Sequence, residues 1–286
     1  MLRRLLLYAS FVRFGHSVFA LPFALVGALL AARQAPLTLT LTRVAWIIAA
    51  MVAARTAAMG FNRLVDARFD VLNPRTASRE LPRGALSSRE AVGLVVVASL
   101  AFVLTTTQLG RICLMLSPVA LVVVFWYSLA KRVTTYTQLF LGLALAVAPV
   151  GGWLAAGGGA GPEPWLLAVA TGTWVAGFDI LYACQDMEFD RAQGLHSIPA
   201  RFGARRALSI SRWLHLGTVA ALASVALVTP LGGWYVAGVV GVALLLTYEQ
   251  SLVRVDDLSR VKQAFDLNGY VGFFYLAATV AAIYVG

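Results

Sequence analysis

Residues 91–130 read AVGLVVVASLAFVLTTTQLGRICLMLSPVALVVVFWYSLA, two apolar runs joined by Gly110 and Arg111. Each run is long enough to cross a bilayer, because the hydrocarbon core is about 30 Å thick and an α-helix rises about 1.5 Å per residue. Backbone polar groups inside lipid must pair within their own segment, so open strands are disfavoured. The stretch therefore predicts two transmembrane helices.

The same pattern recurs along the whole chain. Of its 286 residues, 60% are hydrophobic and 13% are charged, whereas soluble domains carry about a quarter charged residues. No linker divides the apolar spans, so we predict an all-α polytopic transmembrane bundle of nine helices that forms a single domain over residues 1–286. A cleaved signal peptide is the alternative for the first span, but eight further spans favour a retained helix. The predicted spans are 17–33, 43–61, 91–109, 111–129, 136–157, 165–182, 210–229, 232–252 and 265–285.

The Lys and Arg residues that give the net charge of +10 are expected mainly on one side of the membrane. With the N-terminus in the cytoplasm, 19 of the 23 Lys and Arg residues fall in cytoplasmic segments, which is the positive-inside asymmetry of membrane proteins. This asymmetry accounts for the basic charge without a nucleic-acid partner. It predicts a multi-pass protein of the inner (cell) membrane. The two long loops, 62–90 and 183–209, lie on the cytoplasmic side, so the active site is expected to face the cytoplasm.

A first acidic cluster closes the second span. Asn62, Asp66 and Asp70 recur every four residues and therefore share one face of a helix. Like charges at this spacing repel, so a positive partner is expected. Pro74 disfavours helix at the preceding residue, so the helix is predicted to end just after Asp70. Arg55 lies seven residues before Asn62 on the same face, which favours a role in a pocket.

A second acidic cluster closes the sixth span. Its members are three or four residues apart, which at about 100° per residue places them on one stripe of a helix. Ordinary helix-end charges are the alternative for either cluster, but ionisable residues at membrane depth are costly and usually functional. Carboxylates without His or Cys select hard cations such as Mg²⁺, and two facing clusters suit a diphosphate bridged by two such ions. The members are Asp179, Tyr182, Asp186 and Asp190.

Basic residues flank both clusters and are candidates for binding a diphosphate. Arg can clamp phosphate oxygens through two hydrogen bonds; topological anchors and contacts with anionic lipid are the alternatives. Arg13 and His16, just before the first span, are candidates for binding a substrate carboxylate or are interfacial anchors. The flanking residues are Arg75, Arg79, Tyr127, Lys131 and Arg132. The sequence has no P-loop, zinc-protease or serine-hydrolase motif.

These motifs resemble the two signatures of the UbiA superfamily of membrane prenyltransferases, and the pattern looks closest to its 4-hydroxybenzoate polyprenyltransferase branch. The resemblance covers nearly the whole chain. One departure is Arg63, where many relatives have Asp, which leaves the first cluster one carboxylate short. The motifs are Asn62-x3-Asp66-x3-Asp70, Asp179-x2-Tyr182-x3-Asp186-x3-Asp190, the loop from Asn73 to Gly84, Tyr127-x3-Lys131-Arg132 and His196-Ser-Ile-Pro199.

The resemblance implies an enzyme of ubiquinone or menaquinone biosynthesis. It implies Mg²⁺-dependent transfer of a polyprenyl group from polyprenyl diphosphate to a ring carbon of an aromatic acid, 4-hydroxybenzoate or 1,4-dihydroxy-6-naphthoate. Two alternatives stay open. One is another acceptor, such as haem, chlorophyllide or an ether lipid. The other is a secondary transporter, which is disfavoured because transporters place ionisable groups near the bilayer midplane.

Roles for single residues follow from the same resemblance. Asp179 and Tyr182 are expected deeper in the pocket, where they orient the aromatic hydroxyl or take its proton. Arg55 or Arg13 is expected to pair with the aromatic carboxylate. Lys131 and Arg132 are expected to assist diphosphate binding. The expected ligands of the metal–diphosphate group are Asn62, Asp66, Asp70, Asp186 and Asp190.

Overall fold

The computed structural model describes residues 2–12, 19–34 and 39–286. Within these ranges the regular structure is helical, apart from an isolated β-bridge between Arg254 and Asp257. A 3-10 turn, Cys184–Asp186, lies between the seventh and eighth helices. The helices are α1 (Leu2–Phe11), α2 (Leu21–Gln34), α3 (Leu41–Asp70), α4 (Ser88–Thr107), α5 (Arg111–Ala130), α6 (Thr137–Ala155), α7 (Glu163–Ala183), α8 (Met187–Ala192), α9 (Ile198–Val228), α10 (Gly232–Leu252) and α11 (Val261–Tyr284).

Eight helices in the described ranges are long and apolar enough to cross a membrane. They are α3 to α6, α7 together with its continuation α8, and α9 to α11. The predicted all-α membrane bundle is therefore confirmed. Helix α2 has 14 residues and covers most of the first predicted span, of which residues 17 and 18 lie outside the described ranges. The count of nine spans, the cytoplasmic N-terminus and the single domain stay predictions.

Helix α3 carries the first acidic cluster and ends where Pro74 predicts. Thr40 caps its start, because the Thr40 hydroxyl accepts a hydrogen bond from the backbone N–H of Arg43. The helix runs for 30 residues to Asp70, which places the cluster in its last turns. The chain then makes successive turns until Ser87 caps α4.

The second acidic cluster does not lie on one continuous helix, so that prediction is wrong. Helix α7 ends at Ala183, and a 3-10 turn precedes α8. A 3-10 turn has about three residues per turn instead of 3.6, so the constant helical period does not carry from Asp179 to Asp190. The sequence here contains neither Gly nor Pro to mark the change.

The second long loop is also more helical than predicted. Helix α8 fills its first part, and α9 begins at Ile198 instead of at the predicted residue 210. The Ser197 side chain caps this helix and Pro199 occupies its first turn, both of which favour a helix start. Gly203 then kinks α9 with φ 78°, a backbone conformation that favours glycine.

Glycines let the helices at the centre of the bundle approach closely. A Cβ at Gly152 of α6 would collide with the backbone oxygen of Ala24 on α2, and a Cβ at Gly27 of α2 would collide with that of Pro149. Small residues at such crossings allow the close backbone packing that holds membrane helices together. The α2–α6 contact therefore depends on these two glycines.

We expect Gly152→Ala to lower the midpoint of thermal unfolding by several degrees, because overpacking of this kind costs about 1–3 kcal/mol. Gly151→Ala is the matched control, since its Cβ would meet nothing within 4 Å and alanine favours helix. Thermal unfolding of both variants in one detergent checks the prediction. Equal midpoints would contradict the close α2–α6 contact.

Candidate active site

Asp66 is the buried centre of the first cluster, with 4% of its surface exposed. Its carboxylate pairs with two cations from the end of α5: Lys131 Nζ lies 2.8 Å from Oδ2, and Arg132 Nη2 lies 3.1 Å from Oδ1. Arg132 also donates to the backbone oxygen of Val65 at 2.5 Å. The Asn62 amide donates to Asp66 Oδ2 at 3.4 Å. The end of α5 is thereby held against the end of α3.

Asp70 is paired by the chain that immediately follows it. Arg79 Nη1 donates to both carboxylate oxygens of Asp70, at 2.7 and 2.8 Å. The Thr76 hydroxyl donates to the backbone oxygen of Asp70 at 3.1 Å. Arg79 Nε is buried without a hydrogen-bond partner. The segment 71–87 therefore folds back over the end of α3 and leaves a buried donor available.

The same segment reaches the second cluster. Arg75 grips Asp186 with two hydrogen bonds, from Nε at 2.9 Å and from Nη2 at 2.5 Å, while Nη1 donates to the Tyr182 hydroxyl at 3.1 Å. The Asn73 amide adds a bond to Asp186 Oδ1 at 3.2 Å. Burial alone would lower the pKa of the Arg75 guanidinium, but the hydrogen bonds and charge of Asp186 outweigh it and hold that pKa above its ordinary value. The end of α3 is thus joined to the second cluster through this segment.

Asp179 and Asp190 complete the group of carboxylates. The Ser197 hydroxyl donates to Asp190 Oδ2 at 2.9 Å. Asp179 is close enough to Asp186, Asp190 and Lys131 to interact with all three through their charges. The structure therefore brings together both clusters and the basic turn after α5, although these parts are far apart in the sequence.

Opposite charges are interleaved in this group. The carboxylates of Asp66, Asp70 and Asp186 each lie against one or two of the nearby cations. Within the described ranges, no three acidic, His or Cys side chains are arranged so that they could hold a metal ion together. The site in this state is held by ion pairs. The paired cations are Arg75, Arg79, Lys131 and Arg132.

An apolar cavity of about 350 Å³ adjoins the charged group and is lined by residues of α2 to α7, most of them from α3, α5 and α6. Arg55, Cys113 and Tyr127 are the ionisable residues in its described lining. Arg55 Nε is buried without a hydrogen-bond partner. Tyr127 lies near Arg55, Asp66 and Asp179, so it stands where the cavity approaches the carboxylates.

Two of the candidate residues lie outside the described ranges: Arg13 and His16. Two residues that bind the carboxylates were not among the predicted site residues: Asn73, which binds Asp186, and Ser197, which binds Asp190. Asn73 begins one of the motifs that carry the family resemblance, but that motif does not reveal the bond to Asp186. Ser197 carries the helix-start signal of a Ser two residues before Pro199, but that signal does not reveal the bond to Asp190.

Known proteins share both the sequence pattern and the fold. The chain is 32% identical over 231 residues to a 4-hydroxybenzoate octaprenyltransferase of Aliivibrio fischeri, with 81% of each chain covered. A second relative, a 4-hydroxybenzoate octaprenyltransferase of Aeromonas salmonicida, is 33% identical over 219 residues, covering 76% of this chain and 75% of that one.

Solved structures agree with this relationship. A UbiA homologue from Aeropyrum pernix K1, solved in its apo form, superposes with a TM-score of 0.85 at 37% identity and covers 94% of this chain and 98% of its own. A UbiA homologue from Archaeoglobus fulgidus bound to GPP and Mg²⁺ has the same fold, with a TM-score of 0.72 at 19% identity, covering 97% and 99%. The model of the UbiA prenyltransferase family matches residues 20–278. The chain belongs to the UbiA prenyltransferase family.

Proposed function

We propose that this protein transfers a polyprenyl group from polyprenyl diphosphate to a ring carbon of 4-hydroxybenzoate, in a reaction that requires Mg²⁺. The observation that carries the proposal is the meeting of two carboxylate clusters and four cations beside an apolar cavity. The names of the relatives support the aromatic acceptor, since they are 4-hydroxybenzoate octaprenyltransferases. 1,4-Dihydroxy-6-naphthoate is the alternative aromatic acid.

The donor atoms of the site fit Mg²⁺. They are carboxylate oxygens with one amide oxygen, the hard ligands that Mg²⁺ takes while it keeps water and substrate phosphate in its shell. We propose Asn62, Asp66, Asp70, Asp186 and Asp190 as the residues that hold it. When bound, Mg²⁺ neutralises the diphosphate and makes it a better leaving group.

The cations serve the same diphosphate. Lys131, Arg132, Arg75 and Arg79 are now paired with carboxylates, and each is proposed to turn to a phosphate oxygen when its carboxylate takes a metal ion instead. Arg79 Nε, buried without a partner, gains one in that exchange. Charged donors fixed around the diphosphate stabilise the negative charge that grows as the leaving group departs.

The cavity is proposed to hold the polyprenyl tail and to keep water away. The allylic carbon–oxygen bond breaks with its electron pair going to the diphosphate, and an allylic cation is left. A dry apolar wall prevents water from intercepting that cation. The ring carbon ortho to the hydroxyl then attacks, and the ring proton leaves to a base.

The acceptor is proposed to bind between the cavity and the carboxylates. Arg55, with its buried unpaired Nε, is the residue we propose for the aromatic carboxylate, and Arg13 is the second candidate. Tyr127 lines the same place. Asp179 or Tyr182 is proposed to orient the hydroxyl and to take the proton. We also propose that the site faces the cytoplasm from the inner membrane and that no nucleic acid takes part.

Purified protein given geranyl diphosphate and 4-hydroxybenzoate is expected to form prenylated 4-hydroxybenzoate with Mg²⁺ and no product after chelation with EDTA. Parallel reactions contain 1,4-dihydroxy-6-naphthoate or a glycerophosphate ether-lipid acceptor. Mass spectrometry identifies the product. Product from the ether-lipid acceptor alone, or turnover that continues in EDTA, would refute the proposal.

A further inference from the structure

The segment between α8 and α9 binds to both halves of the site. The backbone N–H of His196 donates to the backbone oxygen of Lys131 at 2.7 Å. The next residue, Ser197, donates to Asp190 at 2.9 Å. Two consecutive residues thus connect the basic turn that pairs with Asp66 to a carboxylate of the second cluster.

The Ser197 hydroxyl both donates and accepts a hydrogen bond. It has one proton, which it gives to Asp190 Oδ2, and its oxygen accepts the backbone N–H of Ala200 at 3.2 Å as the cap of α9. Ser197 is buried, with 2% of its surface exposed. The capping bond and the surrounding chain hold the oxygen in place, and the hydroxyl proton points to the carboxylate.

Neighbouring bonds hold this arrangement in place. The backbone N–H of Leu195 donates to the backbone oxygen of Asp190 at 2.8 Å. The buried Gln138 at the start of α6 accepts the backbone N–H of Ile198 at 3.2 Å. Arg191 Nε donates to the backbone oxygen of Ala200 at 2.7 Å. The turn is therefore tied to α6, α8 and α9 at once.

The consequence for Asp190 is a fixed carboxylate. The bond from Ser197, 2.9 Å long, occupies Oδ2. Within the described part of the chain, no hydrogen bond to Asp190 Oδ1 is formed. One oxygen is thus anchored to the protein, and the other is available to a ligand.

We propose that Ser197 is a positioning residue that orients the Asp190 carboxylate for the metal–diphosphate group, a role additional to capping α9. The inference rests on the proposed function. Partners behind a metal ligand typically change metal affinity by about 10–100-fold when they are removed. The hydroxyl acts through Asp190 and does not itself touch the substrate.

Replacement by glycine separates the two roles. Glycine is tolerated at a helix cap at a cost of a few tenths of a kcal/mol, so Ser197→Gly removes the bond to Asp190 while α9 keeps most of its stability. Ser87→Gly is the matched control, because Ser87 caps α4 through an equal bond of 3.2 Å to the backbone N–H of Glu90. Ser197→Thr keeps a hydroxyl, and Ser197→Ala is prepared beside the glycine variant.

Mn²⁺ binding in the presence of geranyl diphosphate, followed by electron paramagnetic resonance, gives a readout that does not depend on turnover. We expect Ser197→Gly to weaken Mn²⁺ binding about tenfold, Ser197→Thr to restore most of it and Ser87→Gly to bind like the wild type. Thermal unfolding without metal is expected to differ little between the two glycine variants.

The outcomes distinguish a failure of the proposed function from a failure of the positioning role of Ser197. If the wild type binds no Mn²⁺ with geranyl diphosphate, the proposed function fails. If the wild type binds it and Ser197→Gly binds equally well, the positioning role is wrong and the function stands. If the glycine and alanine variants at Ser197 both fail to fold while Ser87→Gly folds, Ser197 acts in folding and the positioning role is again overturned.

Discussion

Asp66→Asn is expected to abolish prenyl transfer, with a fall in kcat of about a thousandfold or more. The substitution keeps the size of the side chain and leaves the neighbouring Asn62 unchanged. It removes the negative charge that Lys131 and Arg132 now neutralise. The site then loses a proposed metal ligand, and the two cations lose their shared carboxylate. Loss of a single preorganised group that stabilises transition-state charge costs about 10²–10³-fold, and here two functions depend on one residue.

The assay is product formation from geranyl diphosphate and 4-hydroxybenzoate at saturating Mg²⁺, scaled to the amount of protein inserted in the membrane. Asp256→Asn is the control. Asp256 Oδ1 lies 3.9 Å from Arg254 Nε, and both side chains are exposed. Exposed ion pairs of this kind contribute little to stability. This variant is expected to keep full activity. Mg²⁺-dependent activity of Asp66→Asn within tenfold of the wild type would remove the basis of the proposed site.

The spacing of residues along the chain predicted the structural features that depend on residues close together in the sequence. Apolar runs predicted the helical bundle, because lipid leaves the backbone few other choices. The four-residue spacing of Asp66 and Asp70 predicted one helix face, and Pro74 predicted where that helix ends. Each of these features is decided within a few turns of one helix.

The ion pairs between residues far apart in the sequence could not be predicted from this spacing. Arg75 and Asp186 are 111 positions apart, and nothing in their spacing shows that Arg75 grips Asp186 while Arg79 grips Asp70. The sequence showed only that positive partners were needed. Which cation meets which carboxylate depends on the fold of segment 71–87, and that fold depends on tertiary contacts.

The second cluster shows a different limit. A constant helical period placed Asp179 and Asp190 on one stripe, but the 3-10 turn at Cys184 changes the period. The residues still gather at one site: Asp179 lies near Asp186 and Asp190, and Ser197 at the start of α9 binds Asp190. The continuous helix was predicted wrongly because of the 3-10 turn, whereas the common site depends on tertiary contacts that the turn does not prevent.

Arg55→Met is expected to lower kcat/KM for 4-hydroxybenzoate by about a hundredfold, which corresponds to about 2.7 kcal/mol. Arg55 lines the apolar cavity, and its Nε is buried without a hydrogen-bond partner. A buried N–H without a partner is costly, and an aromatic carboxylate would supply charge-assisted hydrogen bonds. Methionine keeps much of the side-chain volume and removes the charge, so the cavity should keep its shape.

The comparison that isolates this role uses 4-hydroxybenzamide as a second acceptor, because its amide keeps the shape of the acid without its charge. The wild type is expected to prefer the acid, and Arg55→Met is expected to lose that preference while its KM for geranyl diphosphate stays unchanged. Arg68→Met is the control on the same helix, since Arg68 is exposed and lies over the ring of Phe69. If Arg55→Met lowers kcat/KM equally for the acid and the amide, the carboxylate binds elsewhere, and Arg13 becomes the residue to test. A rise in KM for geranyl diphosphate would instead assign Arg55 to the diphosphate, because a cation that touches the leaving group affects the donor whichever acceptor is present.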